Sequence, residues 1–165
     1  EMHLAVGKIL NKEQKAKDQI KDLENQLHQD GEDIEQKIGK NKTFTVMEIQ
    51  PKQLSIFGEN FGRGTPIIYQ EYGFPFPKGA ENGLAKNGFK KIPYEKYNKY
   101  AADYVLIPTD SGKSEPNDFT KSELWKNQEA YKNKHVYYYS KNEATYSNPT
   151  SLKKLSNHFK DMLTQ

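Results

Sequence analysis

Tyr104-Val105-Leu106-Ile107-Pro108 decides the fold. Four β-forming apolar residues in an unbroken row predict a strand over 104–107 that is buried on both faces, with Pro108 ending it. Before it, a short helix is expected around Tyr94–Tyr100. After it come a polar loop, Thr109 to Asn117, a helix over Lys121–Tyr131 and a strand over His135–Tyr139. Upstream, Phe44 to Ile49 reads as a strand, and the turn Gln50-Pro51-Lys52-Gln53 leads into a second, Leu54 to Phe57. So short a connection predicts an antiparallel pair. Helices alternating with strands, one of them apolar throughout, predict an α/β fold: a three-layer sandwich whose central sheet is mostly parallel, mixed by one hairpin, and flanked by helices. Ligands of such sheets sit outside the carboxyl ends of the strands. Gly58–Gly64, Thr109–Asn117 and Ser140–Ser147 fall at or near that position.

The helices have their own signals. Ala16, Ile20, Leu23, Leu27, Ile34 and Ile38 form one apolar stripe over residues 12–38, with Gly31 a candidate interruption. Glu1 to Leu10 reads as the end of a separate helix with His3, Leu4, Val6, Ile9 and Leu10 on its apolar side. Thr65 is an expected N-cap with Pro66 at the first helical position, starting a helix that carries Ile67, Ile68 and Tyr72 and stops at Gly73. Phe74 to Asn87 is a Pro/Gly-rich loop. Asn148 and Pro149 start the last helix, whose stripe is Leu152, Leu155, Phe159, Met162 and Leu163.

Composition removes several function classes. The chain is of one-domain size, and its eleven tyrosines and eight phenylalanines supply a core that its low mean hydropathy hides. No apolar run is long enough to span a membrane. Cysteine is absent, so a disulfide framework, a thiol nucleophile and a zinc–thiolate site are excluded. The chain starts at Glu1 without a signal-peptide pattern and is expected to be a processed chain or a piece of something longer. Its 25 basic and 22 acidic residues are mixed, and the longest basic runs are Lys90-Lys91 and Lys153-Lys154, so no nucleic-acid partner is expected.

Catalytic and nucleotide motifs fail on inspection. Ser111-Gly112-Lys113-Ser114 ends like a phosphate loop, but Ile107 stands where that motif needs glycine, and Gly58, Gly62 and Gly64 are in the wrong order for a dinucleotide fingerprint. His3, His28, His135 and His158 share no metal-ligand spacing; His28 and His158 read as solvated. No serine sits in a nucleophile elbow, and no acid/base pair of carboxylates stands out. No catalytic residue, metal site or cofactor is expected. The sequon Asn41-Lys42-Thr43 is short enough to arise by chance.

The residue that stands out is Arg63, the single arginine against twenty-four lysines. Its planar fork holds two acceptor oxygens at once or stacks on a ring, which a lysine cannot do. Three glycines within Gly58-Glu59-Asn60-Phe61-Gly62-Arg63-Gly64 let the backbone approach a ligand closely. Phe57 and Phe61 flank the turn, and Tyr146 lies in the loop after the last strand. Phe57 and Trp125 read as core packing, Phe61 as exposed, and Tyr146 as either rim or surface. Rings around one arginine make a wall suited to a ligand with an apolar body and oxygens that need donors.

The string Phe57-Gly58-Glu59-Asn60-Phe61-Gly62-Arg63-Gly64, followed by Ile67-Ile68-Tyr69-Gln70-Glu71-Tyr72-Gly73, resembles the C-terminal lobe of ferric hydroxamate-binding lipoproteins. These are the ferrichrome-binding-like receptors of ABC importers in Gram-positive bacteria. The resemblance continues through Lys99-Tyr100-Ala101-Ala102-Asp103-Tyr104, Leu124-Trp125-Lys126-Asn127 and Tyr146-Ser147-Asn148-Pro149, and begins at Gly7-Lys8-Ile9-Leu10-Asn11-Lys12-Glu13. It implies one lobe of a two-lobe binding protein with a helical hinge: residues 1–11 as the end of the interlobe helix, 12–165 as the C-terminal lobe, and an N-terminal lobe absent from this chain. By position, Phe61 packs on the ligand, Arg63 donates to hydroxamate oxygens, Tyr146 closes the rim and Glu95 docks to the permease. Where this chain has Phe61 and Ser55, the family often has tryptophan and another aromatic.

The resemblance further implies a binding protein rather than an enzyme. Its partners are a ferric hydroxamate siderophore and ABC permease subunits, and it acts at the extracellular face of the cytoplasmic membrane through a lipid anchor on the absent N-terminus. A ferric tris-hydroxamate centre is uncharged and its oxygens are committed to iron, so the receptor needs donors and rings, not metal ligands. A different siderophore or haem, or a small α/β enzyme or regulatory domain, are the alternative readings.

Overall fold

The structure, a computed structural model, describes residues 2–77 and 88–165, with side chains from residue 12 onward. The first helix, α1, runs unbroken over Met2–Ile38. The two helices expected there are one, because no proline or glycine stands between residues 8 and 30 to end the hydrogen-bond ladder. Residues 12–22 are exposed throughout, so Ala16 and Ile20 of the predicted stripe project beyond the lobe, while Leu23, Leu27 and Ile34 are buried. The side chains of the expected apolar set from His3 to Leu10 lie outside the described residues.

Gly31 does not interrupt α1; it lets another element come close. A Cβ there would lie 2.9 Å from Tyr72 Cδ1 and 3.2 Å from Tyr72 Cα. Glycine to alanine in a helix ordinarily stabilises by roughly 1 kcal/mol, whereas overpacking costs about 1–3 kcal/mol. Gly31→Ala is therefore expected to lower the unfolding free energy. A denaturant midpoint higher than wild type would show that Tyr72 can move aside.

Strands β1 (Phe44–Gln50), β2 (Gln53–Phe57), β3 (Phe89–Pro93), β4 (Tyr104–Thr109) and β5 (Val136–Ser140) form one sheet in the order β3-β2-β1-β4-β5. β1 pairs parallel with β4, and β4 with β5; β1 with β2 and β2 with β3 are antiparallel. The sheet is thus mixed, as expected, with the antiparallel part extended by β3, a strand not expected from its residues. Pro108 lies inside β4 rather than ending it. Pairing with β1 stops at Leu106, so Pro108 stands where β4 keeps only its β5 neighbour and its missing N–H breaks no ladder bond to β1.

Alternation along the strands builds two cores. Phe44, Val46, Phe57, Tyr104, Leu106 and Tyr139 face α1 and the last helix, α5. Met47, Leu54, Ile56, Val105 and Ile107 face Tyr97, Phe119 and Trp125 on the other side. This is the expected three-layer sandwich. The far layer holds a 3-10 helix, Tyr94–Tyr100, and three single turns, α2 (Asp118–Lys121), α3 (Glu123–Lys126) and α4 (Glu129–Lys132), in place of one helix over 121–131. Asn117 and Ser122 each accept a bond from a backbone N–H three residues on, and each cap starts a new turn.

Over the near face, the segment expected as an ordinary helix is a π-helical turn, Pro66–Glu71, closed by the Tyr72 amide on the Ile67 carbonyl at 2.8 Å. Thr65 does not cap it. Its backbone is helical, and its hydroxyl donates to the Gly62 carbonyl at 2.8 Å and accepts from the Gly62 amide at 3.0 Å, which ties the glycine turn to itself. Helix α5 (Pro149–Thr164) starts as expected, with Asn148 Oδ1 accepting from the Ser151 amide at 2.9 Å. Leu155, Phe159 and Leu163 of its stripe are buried, and Leu152 and Met162 partly so. Buried Asp30 on α1 accepts from the Ser156 hydroxyl at 2.7 Å and locks the two helices together. The predicted loop from Phe74 lies, over residues 78–87, outside the described residues.

Candidate ligand-binding cleft

Chain direction brings the site together. β2 runs against β1, so the turn that follows Phe57 starts at the N-terminal half of β1 and folds across the α1/α5 face of the sheet. There it meets the loop after β5. A cavity of about 290 Å³ opens between them, lined by Phe61, Arg63 and Tyr146 together with Gly62, Thr145 and Leu152. Three residues chosen from the sequence for ligand contact, 85 positions apart at the extremes, share this one cavity. The third expected loop, 109–117, adjoins it: Glu115 and Asn117 line a smaller hollow with Glu48 and Lys141.

Phe61 is half-buried rather than exposed. It stacks on Phe57 with ring centroids 4.5 Å apart at 10°, and meets Phe89 edge-on at 5.5 Å. Phe57 itself is core, and the stack offers the cavity the side of a supported ring. Tyr146 is 55 % exposed, and the loop holds it at the rim. Trp125 is buried on the opposite face of the sheet, so it is core and not site. Glu95 is exposed in the first turn of the 3-10 helix, on that same far face, and takes no part in the cavity.

Arg63 is held from several sides. Its Nε donates to Glu48 Oε1 at 3.3 Å, and its Nη1 to the Thr145 hydroxyl at 3.4 Å. Its backbone sits at φ +58°, a region few side chains adopt, and its carbonyl accepts from the Tyr139 hydroxyl. Burial, and then the neighbouring Tyr69 and Glu48, push the Tyr139 phenol well above its ordinary value, so it stays a donor. Among the described residues Nη2 keeps no partner, which leaves one edge of the fork for the cavity. The geometry can donate hydrogen bonds to oxygens on a bulky ligand while flanking it with rings.

Sequence reasoning missed Glu48, Lys141, Thr145 and Tyr139. Lys141 Nζ lies 3.8 Å from Glu48 Oε1 and 3.8 Å from Asp110 Oδ1. The available signal was Glu48 itself, a carboxylate within a run of β-formers whose alternation turns it to the same face as Phe44 and Val46. Ser55, where the resembling family often has an aromatic, is buried in register opposite Glu48. His158, expected to be solvated, pairs with Glu143 at 3.1 Å, and His28 lies 3.6 Å from Glu71. Among the described residues no group of three or more His, Asp or Glu could hold a metal ion, and no helix is long and apolar enough to cross a membrane.

Comparison with known proteins agrees with this picture. Residues 1–143 match the family described as periplasmic binding protein. The chain is 36 % identical over 100 residues to the iron(3+)-hydroxamate-binding protein FhuD of Bacillus subtilis (strain 168), covering 59 % of this chain and 31 % of that protein. It is 31 % identical over 157 residues to the iron(3+)-hydroxamate-binding protein YxeB of the same organism, covering 90 % of this chain and 49 % of that one. Among solved structures, unliganded, reductively methylated FhuD2 from Staphylococcus aureus superposes with a TM-score of 0.83 at 32 % identity, covering 96 % of this chain and 61 % of that one. FhuD2 with bound ferrioxamine B gives 0.77 at 30 % identity, with coverages of 97 % and 62 %. The chain therefore spans less than half the length of these curated relatives.

Proposed function

This chain belongs to the periplasmic binding protein family, and from that premise we propose that it is the C-terminal lobe of an ABC-importer receptor that binds ferric hydroxamate siderophores. It binds and performs no chemistry. The observation that carries this reading is the shared cavity of Phe61, Arg63 and Tyr146, a set of rings and one arginine that suits a neutral iron chelate. Relatives named for iron(3+)-hydroxamate binding support the ligand class, as does FhuD2 with ferrioxamine B bound. Iron is cargo here and arrives already coordinated, so a cleft of donors and rings is the fitting chemistry.

In this reading Phe61 packs against the ligand body, Arg63 Nη2 donates to hydroxamate oxygens, and Tyr146 closes the rim. A second α/β lobe, joined through α1, whose residues 12–22 are exposed, supplies the other half of the contacts. Glu95, exposed on the far face, docks to the permease. The receptor works outside the cytoplasmic membrane of a Gram-positive cell, tethered by a lipid anchor on the N-terminal side.

The test is a calorimetric titration of the two-lobe protein that carries this chain, using ferrichrome. Tryptophan fluorescence would report poorly from this lobe, since Trp125 lies across the sheet from the cavity. Hydrogen bonds from a charged donor contribute about 1.5–3 kcal/mol, so Arg63→Ala should weaken binding by roughly ten- to a hundredfold. A variant that binds as tightly as wild type removes Arg63 from the site.

A further inference from the structure

Arg63 lines the cavity, and a carboxylate holds it from behind. Glu48, on β1, has a side chain only 14 % exposed, and it lies beside two cations, 3.3 Å from Arg63 Nε and 3.8 Å from Lys141 Nζ. Lys141 also reaches Asp110, but that side chain is 87 % exposed and its charge is screened by solvent. The carboxylate that sets the local balance is therefore Glu48. It does a second thing. A guanidinium is planar, so fixing Nε on one side fixes where both Nη groups point on the other. With Nη1 on Thr145 and the Arg63 carbonyl on Tyr139, the fork has one orientation.

We propose that Glu48 is the specificity-determining residue of this cleft, holding Arg63 in its donating orientation and cancelling cationic charge so that electroneutral ferric trihydroxamates are accepted and anionic chelates are rejected. The inference rests on the function proposed above and narrows its substrate class. A ferric tricatecholate carries three negative charges at the metal and would need a surplus of positive charge where it sits. Here the surplus is removed from within, by a carboxylate too sheltered for salt to screen fully. The exclusion is a repulsive element built beside the attractive one, as discrimination between ligands of similar shape requires. Ser55, small and in register opposite Glu48, places no ring at the position paired with that carboxylate.

The experiment compares two probes in the two-lobe protein: ferrichrome, which is neutral, and ferric enterobactin, which is trianionic. For Glu48→Gln the expected result is a roughly tenfold loss of ferrichrome affinity and a roughly tenfold gain for the trianion, a change in preference that Coulomb attraction of this size accounts for. Adding Lys141→Met to Glu48→Gln restores the charge balance and should cancel the gain for the trianion while leaving the ferrichrome loss, which comes from a loosened Arg63. An unchanged ratio of the two affinities in Glu48→Gln overturns the proposal. If that variant does not fold, Lys141→Met alone must widen the preference for ferrichrome, and a ratio equal to wild type overturns it in the same way. A wild-type protein that does not bind ferrichrome overturns the ligand class itself; one that binds it while Glu48→Gln keeps the wild-type ratio overturns only the role of Glu48.

Discussion

Trp125→Ala is expected to lower the unfolding free energy by about 3–5 kcal/mol while leaving ligand affinity unchanged. Trp125 is 1 % exposed and sits at the centre of the far core, with ring centroids 5.2 Å from Phe119, 5.7 Å from Tyr97 and 6.1 Å from Tyr131. The turns around it, α2, α3 and α4, are each too short to be stable alone. They hold their places because Trp125 and Phe119 fill the space beneath them, and because the Ser122 hydroxyl caps the Trp125 amide at 3.2 Å. Removing the indole leaves a cavity that single turns cannot close over without losing their own caps. The loss is a large share of a typical domain stability, roughly 5–15 kcal/mol. Circular dichroism in denaturant reads it, since the one tryptophan is gone. A loss below about 1 kcal/mol would show that the far layer collapses into the gap. A loss of ferrichrome binding in the folded variant would show that the two faces of the sheet are coupled.

The contrast between the two faces explains how much could be read from the chain. β1, β2 and β4 are visible because burial on both faces writes a dense apolar pattern, β5 because Val136-Tyr137-Tyr138-Tyr139 is a run of β-formers, and α5 because Asn148-Pro149 is a strong local start signal. β3 is not. Phe89-Lys90-Lys91-Ile92-Pro93 buries only Ile92, and its lysines and proline are what an edge strand carries to discourage further pairing, so its polarity hides it. The single helix expected over 121–131 breaks because Ser122, near its start, caps a turn of only Glu123–Lys126, and a second turn begins anew at Glu129. The site divided along the same line. Arg63 was legible from composition and Phe61 from its glycine turn. Glu48 and Lys141 were not, because their meeting depends on β1 lying near the loop after β5, with β4 between them, and that order is set by tertiary pairing rather than by any local spacing.

Gly64→Ala is expected to damage stability and binding together. Gly64 has φ +88°, a conformation that costs a side-chain-bearing residue about 1–2 kcal/mol. A Cβ there would lie 2.7 Å from Phe159 Cζ and 3.0 Å from its Cε2, with Leu155 Cδ2 at 3.5 Å. Phe159 cannot simply turn away. It is fully buried and stands edge-on to Tyr139 at 5.1 Å, and Tyr139 donates to the Arg63 carbonyl. Strain and overpacking together are expected to cost roughly 2–5 kcal/mol. Any relief by shifting Phe159 moves Tyr139 and then the backbone that aims Arg63, so ferrichrome affinity should fall as well. Gly62→Ala is the natural comparison. Its φ of +122° is also costly for alanine, but nothing lies within 4 Å of the added Cβ. The unfolding free energies of both variants, taken beside their ferrichrome titrations, separate the two causes. A larger loss for Gly64→Ala assigns the excess to the Phe159 contact, whereas equal losses would mean that Phe159 yields and backbone strain alone sets the cost.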